Sequence, residues 1–270
     1  MDLGIKGKTA LVTAGSRGFG KAVALQLAAE GVGVALCARG QDDLDLTAAE
    51  IRARGRTVWG ADAAPVLARA LDVTDGPAVT GFVAETTAEL GSIDLLLVNA
   101  GGPPAGAFGE LDLDQWEAAY RLTLESAVRL CQAVLPGMME RGWGRVVQVT
   151  SVSVLQPVEN LLLSSVLRPA VQGLTRSLAL EAAASGVTVN SVAPGYHTTS
   201  AVERLIAAKI AKTGCTREDV LADWIDEIPL GRLGKPEELA SLITFLMSAR
   251  AGYITGQCIV SDGGWVKGTF

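Results

Sequence analysis

The chain has 270 residues, of which 49% are hydrophobic and 19% are charged, and its formal net charge is −6. This length and apolar content predict one folded domain with a buried core. The acidic balance disfavours nucleic acid as the main partner, and no apolar run approaches the roughly 20 residues that a membrane span needs. The four cysteines lack metal-site spacing and the first residues lack an apolar signal core, so we expect reduced thiols in a cytoplasmic protein.

Strand-length apolar runs alternate with longer segments of helical periodicity in the first half of the chain. The strands predicted here are Thr9–Ala14, Val32–Ala38, Ala70–Val73 and Ile93–Asn99. The helices predicted between them, each followed by a glycine, are Lys21–Glu30, Leu44–Arg54 and Val79–Leu90. We expect loops at Trp59–Ala68 and at Gly101–Gly106.

The second half continues the alternation and adds an insertion. Its predicted helices are Leu113–Arg141 (interrupted near Pro136), Ser165–Ser185 and Pro236–Ser248, and its predicted strands are Arg145–Thr150, Val187–Ala193 and Gln257–Ser261. Two short helices, Ala201–Thr213 and Glu218–Ile225, fall in a segment at about 196–228 that we expect to cover a substrate site. Repeated strand–helix units indicate a doubly wound parallel α/β sheet, here as a single domain over residues 1–270.

A glycine-rich turn joins the first strand to the first helix. From Thr13 to Gly20 it reads Thr-Ala-Gly-Ser-Arg-Gly-Phe-Gly. Glycines let the backbone approach a pyrophosphate, and the N-terminus of the next helix offers free N–H groups and a favourable dipole. Its place between a first strand and a first helix favours dinucleotide binding over a tight turn without a ligand.

This loop resembles the Thr-Gly-x-x-x-Gly-x-Gly motif of the short-chain dehydrogenase/reductase family, with Ala14 in place of the first glycine. Further segments match the family in order: Asp72-Val73, Asn99-Ala100-Gly101, Asn190–Gly195, Ile228–Arg232, Thr255–Gln257 and Asp262–Gly264. The resemblance covers nearly the whole chain. It implies a Rossmann-type fold, a nicotinamide dinucleotide cofactor and hydride transfer between that cofactor and a carbonyl or alcohol.

Charge at the end of the second strand favours NADP(H) over NAD(H). NAD selectivity usually needs an acid there, and Ala38 occupies that position. Arg39 follows it and Arg17 lies in the glycine loop, so two guanidinium groups could hold a 2′-phosphate, unless both are simply solvated. The predicted cofactor-binding residues are Thr13, Gly15, Ser16, Arg17, Gly18, Phe19, Gly20, Arg39, Asp72, Val73, Asn99, Ala100, Gly101, Thr150, Arg168, Pro194, Gly195 and Thr199.

The family's catalytic pattern is altered at three of four positions. Ser151 matches the catalytic serine, but Ser164 and Arg168 stand where the family has Tyr and Lys, and Thr123 stands where it has Asn. An aliphatic hydroxyl is far less acidic than a phenol, and an arginine cannot relay a proton as a lysine can. Arg168 could still hold a ribose, a phosphate or an anionic substrate, or stabilise an oxyanion, whereas Ser164 could equally line an inert cavity.

A substitute proton donor would have to come from elsewhere in the chain. The single histidine, His197, follows Tyr196 in the segment that the resemblance places over the nicotinamide. An imidazole pKa near 6.5 suits acid–base chemistry, so both side chains are candidates, although a lone loop histidine is more often structural. We expect Tyr120 and Tyr253 to serve packing or subunit contacts.

The Ser-x-x-x-Arg pattern, with Asn99–Pro104 and Thr150–Ser153, resembles a divergent subgroup generally labelled oxidoreductases or 3-oxoacyl-carrier-protein reductases. We therefore expect an NADP(H)-dependent oxidoreductase for a mostly apolar carbonyl compound, free or bound to a carrier or CoA. The alternatives are a non-redox enzyme, such as an isomerase, lyase or cyclase, and a catalytically silent binding protein. The resemblance also implies a homotetramer or homodimer.

Overall fold

The computed structural model describes residues 1–268. The strands are β1 (Thr9–Thr13), β2 (Gly33–Ala38), β3 (Val66–Ala70), β4 (Leu95–Val98), β5 (Gly144–Val149), β6 (Val187–Pro194) and β7 (Cys258–Ser261). The helices are α1 (Gly18–Ala29), α2 (Gln41–Trp59), α3 (Gly76–Leu90), α4 (Leu113–Tyr120), α5 (Ser126–Glu140), α6 (Leu162–Ala182), α7 (Ser200–Thr213), α8 (Arg217–Asp226) and α9 (Pro236–Leu246). Within this part of the chain the seven strands form one parallel sheet in the order β3-β2-β1-β4-β5-β6-β7. The predicted doubly wound α/β fold is confirmed.

Alternate residues of each central strand point into two separate hydrophobic layers. Val12 and Leu97 face the layer formed with α1, α2 and α9, whereas Leu11 and Leu96 face the layer formed with α3, α5 and α6. Because both faces are covered, β1 and β4 are buried at every position. Burial of each apolar side chain of the size of valine or leucine contributes about 1.5–3 kcal/mol to stability.

The predicted end of the second helix and the predicted position of the third strand were wrong. Helix α2 continues past Gly55, a buried position within the helix, and ends at Trp59, whose indole N–H donates to the Ala29 carbonyl at 3.0 Å. Strand β3 occupies Val66–Ala70, inside the segment predicted as a loop, and not Ala70–Val73. It is an edge strand that turns Arg69 to solvent, so its hydrophobic pattern is weak.

The long helical region after β4 is not interrupted where the sequence predicted. Pro136 lies within α5 on an exposed side, where the carbonyl that loses its helical hydrogen bond can face water. The irregularity is instead a π-helical turn at Arg121–Glu125, between α4 and α5. Such single turns inside helices are often found beside functional sites. Helix α6 also begins at Leu162, three residues before the predicted start.

Strand order reverses between β1 and β4, and parallel α/β sheets bind ligands beyond the carboxyl ends of their strands at such a point. The loops after β1, β4, β5 and β6 meet there. The two short helices predicted in the insertion are present as α7 and α8. No helix within residues 1–268 combines the length and the apolar character needed to cross a membrane.

Two glycines with the same left-handed backbone conformation allow a controlled test of close packing. Gly142 and Gly186 both have φ +70°, but an added Cβ meets nothing within 4 Å at Gly142 and lies 2.5 Å from the Gly142 carbonyl oxygen at Gly186. We expect Gly142→Ala to lower the free energy of unfolding by about 1 kcal/mol, the cost of the left-handed conformation, and Gly186→Ala to lower it by at least about 2 kcal/mol. Urea unfolding measures both values, and equal losses would contradict the close approach.

Candidate active site

The loop between β1 and α1 is shaped to receive an anion. An added Cβ at Gly20 would lie 2.3 Å from the Ala14 carbonyl oxygen, so only glycine permits this turn. Arg17 occupies the N-cap position of α1 and no side chain caps the helix. The first N–H groups of α1 are therefore left for a ligand, and the helix dipole favours a negative one.

The two arginines predicted to select the cofactor have different surroundings. Arg17 lines the cleft and forms an ion pair with Asp43 at the start of α2. Arg39 is exposed just after β2 and is not part of the cleft lining. Asp72 follows β3, and its Oδ1 accepts hydrogen bonds from the N–H and the hydroxyl of Thr74 at 2.9 and 2.8 Å.

Two predicted cofactor residues, Thr13 and Thr150, tie neighbouring strands together at the base of the cleft. The Thr13 hydroxyl is buried, accepts the Asn99 N–H at 2.9 Å and lies 2.7 Å from the Asn99 carbonyl oxygen, so it ties β1 to the end of β4. The Thr150 hydroxyl donates to the Val192 carbonyl at 2.8 Å and ties β5 to β6. The predicted cofactor residues that do line the cleft are Arg17, Gly18, Phe19, Asn99, Ala100, Gly101, Thr150, Arg168, Pro194, Gly195 and Thr199.

Two of the three altered catalytic positions, Ser164 and Arg168, belong to one hydrogen-bonded chain. The Nε of Arg168 donates to the Ser164 hydroxyl at 3.2 Å, and that hydroxyl lies 3.1 Å from the Ser153 hydroxyl. The Ser151 hydroxyl accepts the Ser153 N–H at 3.2 Å. Arg168, Ser164 and Ser151 all line the cleft, which encloses about 410 Å³. The structure therefore brings three of the five predicted catalytic residues together.

Arg168 is a partly buried cation without a counter-charge. Its Nη1 donates to the Val149 carbonyl at 2.8 Å, and no carboxylate in the described part of the chain pairs with it. Burial lowers the pKa of Arg168 to about 10, so the guanidinium stays protonated at neutral pH. A desolvated positive charge at the edge of a cleft attracts a negative or electron-rich group.

Thr123 is not brought to the cleft. It is buried in the π-helical turn, and its hydroxyl has no hydrogen-bond partner within residues 1–268. It is also absent from the residues that line the cleft.

His197 lines the cleft but is wedged in place. It is 2% exposed, its Nδ1 lies 3.1 Å from the Gly195 carbonyl oxygen, and its ring meets the edge of Phe19. An added Cβ at Gly234 would lie 2.6 Å from its Nε2, so backbone covers that side of the ring as well. Burial lowers the pKa of His197, which leaves the imidazole neutral at pH 7. This environment favours a structural role for His197 over proton donation.

Tyr196, the other candidate proton donor, is held between two tryptophans. Its ring stacks on Trp224 at 4.1 Å and on Trp265 at 4.6 Å between centroids. Burial raises the pKa of Tyr196, and the nearby carboxylates of Glu227 and Glu159 raise it further. The phenol is thus less acidic than usual, the opposite of an activated catalytic tyrosine.

Two contributors to the cleft were missed at the sequence level. Ser153 joins the hydroxyl chain because a short 3₁₀ turn at Val152–Val154 follows Ser151, and only its position two residues from Ser151 could have suggested it. Arg204 lines the cleft from α7, and it looks like an ordinary surface residue of that helix.

The comparisons with known proteins agree with this architecture. Residues 13–266 match the family model described as "Enoyl-(Acyl carrier protein) reductase". An acetoacetyl-CoA reductase from Shinella zoogloeoides is 35% identical over 258 residues, covering 95% of this chain and 98% of the relative.

Two solved structures are similar over nearly their whole length. L-Sorbose reductase from Gluconobacter frateurii, complexed with NADPH and L-sorbose, has a TM-score of 0.91 and 31% identity, covering 99% of this chain and 100% of that one. An actinorhodin polyketide ketoreductase variant with NADPH has a TM-score of 0.90 and 31% identity, covering 97% and 98%. The glycine-rich loop between β1 and α1, the order of the strands and these similarities show that the chain belongs to the short-chain dehydrogenase/reductase family of oxidoreductases.

Proposed function

We propose that the protein is an NADP(H)-dependent oxidoreductase that interconverts a carbonyl compound and its alcohol. In this proposal the Arg168–Ser164–Ser153 chain replaces the family's Tyr-Lys pair. The observation that carries it is the position of that chain: a partly buried, unpaired guanidinium and two linked hydroxyls beside Ser151, on the cleft that begins at the phosphate loop.

The residues present fit a dinucleotide. The uncapped N-terminus of α1 and the close turn at Gly20 suit a pyrophosphate, and an added Cβ at Gly101 or Gly102 would meet nothing within 4 Å, so that loop leaves open space. Arg17 and Arg39 would hold the 2′-phosphate of NADP(H), in keeping with the NADPH of the two similar structures. The cofactor, when bound, supplies or accepts the hydride.

The protein's own part in carbonyl reduction is to stabilise charge and deliver a proton. Negative charge that develops on the substrate oxygen is stabilised by the fixed guanidinium of Arg168. The hydrogen bonds that Ser164 receives from Arg168 and shares with Ser153 make its proton easier to release, so Ser164 donates it to the substrate oxygen and takes up a proton from water that enters the cleft after the alcohol has left. Ser151 supplies a second hydroxyl to orient the carbonyl. Alcohol oxidation uses the same groups in reverse.

Removal of the Ser164 hydroxyl tests this proton path. We expect Ser164→Ala to lower kcat for ketone reduction about 10²–10⁴-fold, the usual contribution of a positioned acid, with the Kd for NADPH changed less than twofold. A panel of acetoacetyl-CoA, a keto sugar and aliphatic ketones, followed by loss of NADPH absorbance, identifies a substrate for the measurement. Ser177→Ala is the matched control, because Ser177 lies exposed on the same helix and bonds only the Gly173 carbonyl. Full activity in Ser164→Ala would refute the proton path.

Arg168 is tested by charge-conserving and charge-removing substitutions. Since its pKa is about 10, we expect wild-type kcat to fall as the pH rises above that value and the guanidinium loses its charge. Arg168→Lys should keep part of the activity and move this fall to lower pH, because an ammonium has a lower intrinsic pKa and is also disfavoured by burial. Arg168→Met should lose activity without a corresponding pH response. Identical pH profiles of kcat for wild type and Arg168→Lys would show that titration of residue 168 does not cause the fall in kcat at high pH.

Cofactor preference is tested by reversing one charge beside the predicted 2′-phosphate site. We expect Arg39→Asp to weaken NADPH binding at least about tenfold and to leave NADH binding equal or stronger, since a carboxylate repels a phosphate and accepts from a ribose hydroxyl. Asp43→Asn should strengthen NADPH binding, because it frees Arg17 from its ion pair. Arg54→Asp, an exposed change on α2, is the control. If calorimetry shows no binding of either nucleotide by wild type, the non-redox enzyme and the silent binding protein replace this proposal.

A further inference from the structure

A second cavity adjoins the catalytic cleft on the side of the insertion. This outer vestibule encloses about 1110 Å³ and lies between the loops around Ala105 and Glu159 and the helices α7 and α8. Residues that line both spaces are Ala105, Val158, Leu161, Tyr196, Leu205, Ala208 and Trp265. The two spaces therefore adjoin, and a substrate that has its carbonyl at Ser164 and reaches past these residues would place its other end in the vestibule.

The vestibule is negatively charged. Five carboxylates and two lysines line it. Both lysines are already paired, Lys212 with Glu110 at 2.7 Å and Lys209 with Asp223 at 3.1 Å. Three further carboxylates have no basic partner among the residues that the structure describes: Glu159, Asp226 and Glu227.

Aromatic rings stand beside these free carboxylates. The stack of Trp224, Tyr196 and Trp265 lines the vestibule, and the Trp265 indole N–H donates to Glu227 at 2.7 Å, which fixes that carboxylate against the rings. Because Tyr196 lies between the two tryptophans, an ammonium group can meet only a ring face at the end of the stack, and such a face and the nearby carboxylates attract it together. Neither feature suits a phosphate.

The inner cleft carries the opposite charge. Its ionisable lining residues other than Tyr196 and His197 are all arginines within residues 1–268: Arg17, Arg168 and Arg204. The arginines of the cleft are spread from Arg17 in the phosphate loop to Arg204 on α7, so the cleft is positive and the adjoining vestibule is negative. Such segregation favours an anionic cofactor at one end and disfavours a second anion at the other.

We propose that the substrate carries a positively charged ammonium group at the end distal to its carbonyl, bound by Glu159, Glu227 and the Trp224–Tyr196–Trp265 stack. The same vestibule repels polyanionic carriers, so acetoacetyl-CoA is a poor substrate of this protein. This inference rests on the proposed function, because it concerns the substrate of the same cleft.

Binding of three ketones of matched length tests the charge preference without requiring turnover. The probes are 5-(trimethylammonio)pentan-2-one, its neutral carbon isostere 6,6-dimethylheptan-2-one, and the anion 5-oxohexanoate. We expect calorimetry on the full chain, with and without NADPH, to show the cationic ketone binding at least about tenfold tighter than the neutral one, and the anion weakest. Added salt should weaken binding of the cationic ketone and leave the neutral one unchanged.

The double variant Glu159→Gln/Glu227→Gln should abolish this preference, because glutamine at 227 keeps an acceptor for the Trp265 N–H but removes the charge. Glu30→Gln/Glu140→Gln, which removes two carboxylates that do not line the vestibule, should retain it. Equal or weaker binding of the cationic ketone by wild type would overturn the inference. If ketones are turned over without any preference for charge, the inference about the substrate is overturned and the oxidoreductase proposal stands. If the cationic ketone binds preferentially but no ketone is turned over, the inference about charge stands and the oxidoreductase proposal is overturned.

Discussion

The burial of an unpaired guanidinium at the carboxyl edge of the sheet is the constraint on which the rest of the site depends. A desolvated cation is expensive unless dipoles or an anion compensate it. Here the compensation comes from the Val149 carbonyl at the end of β5 and from the Ser164 hydroxyl on α6. Arg168 is therefore oriented by a strand and by its own helix, and its free N–H groups face a cleft shaped for an electron-rich partner.

The surrounding scaffold keeps this geometry rigid. The Thr13 and Thr150 hydroxyls tie neighbouring strand ends together, so the loops that carry Asn99 and Ser151 start from fixed points. Packing on both faces of the sheet holds those strands in register. Sites built on such elements fix the positions of their functional groups more precisely than sites built on mobile loops.

Charge is distributed unevenly along the connected space, and the distribution has a chemical meaning. Arginines line the cleft, whereas free carboxylates and stacked aromatic rings line the vestibule between α7 and α8. One fold can serve many substrates when the side chains around its site differ while the scaffold stays the same.

Local patterns in the sequence determined the fold, because the alternation of apolar runs and the glycines that end the helices depend only on neighbouring residues, and the architecture confirms it. The family resemblance named Ser164 and Arg168 as candidate catalytic residues, and the structure joins the two by a hydrogen bond. Strand β3 was misplaced because an edge strand needs little hydrophobicity, and Pro136 was misjudged because the sequence does not show which side of a helix faces water. Only the tertiary structure decided that His197 is wedged, that Ser153 completes the hydroxyl chain, and that Glu159 and Glu227 share a wall with stacked rings. These features depend on residues that are far apart in the chain or on the geometry of loops. Burial and electrostatics arise from such tertiary contacts and not from the order of residues along the chain.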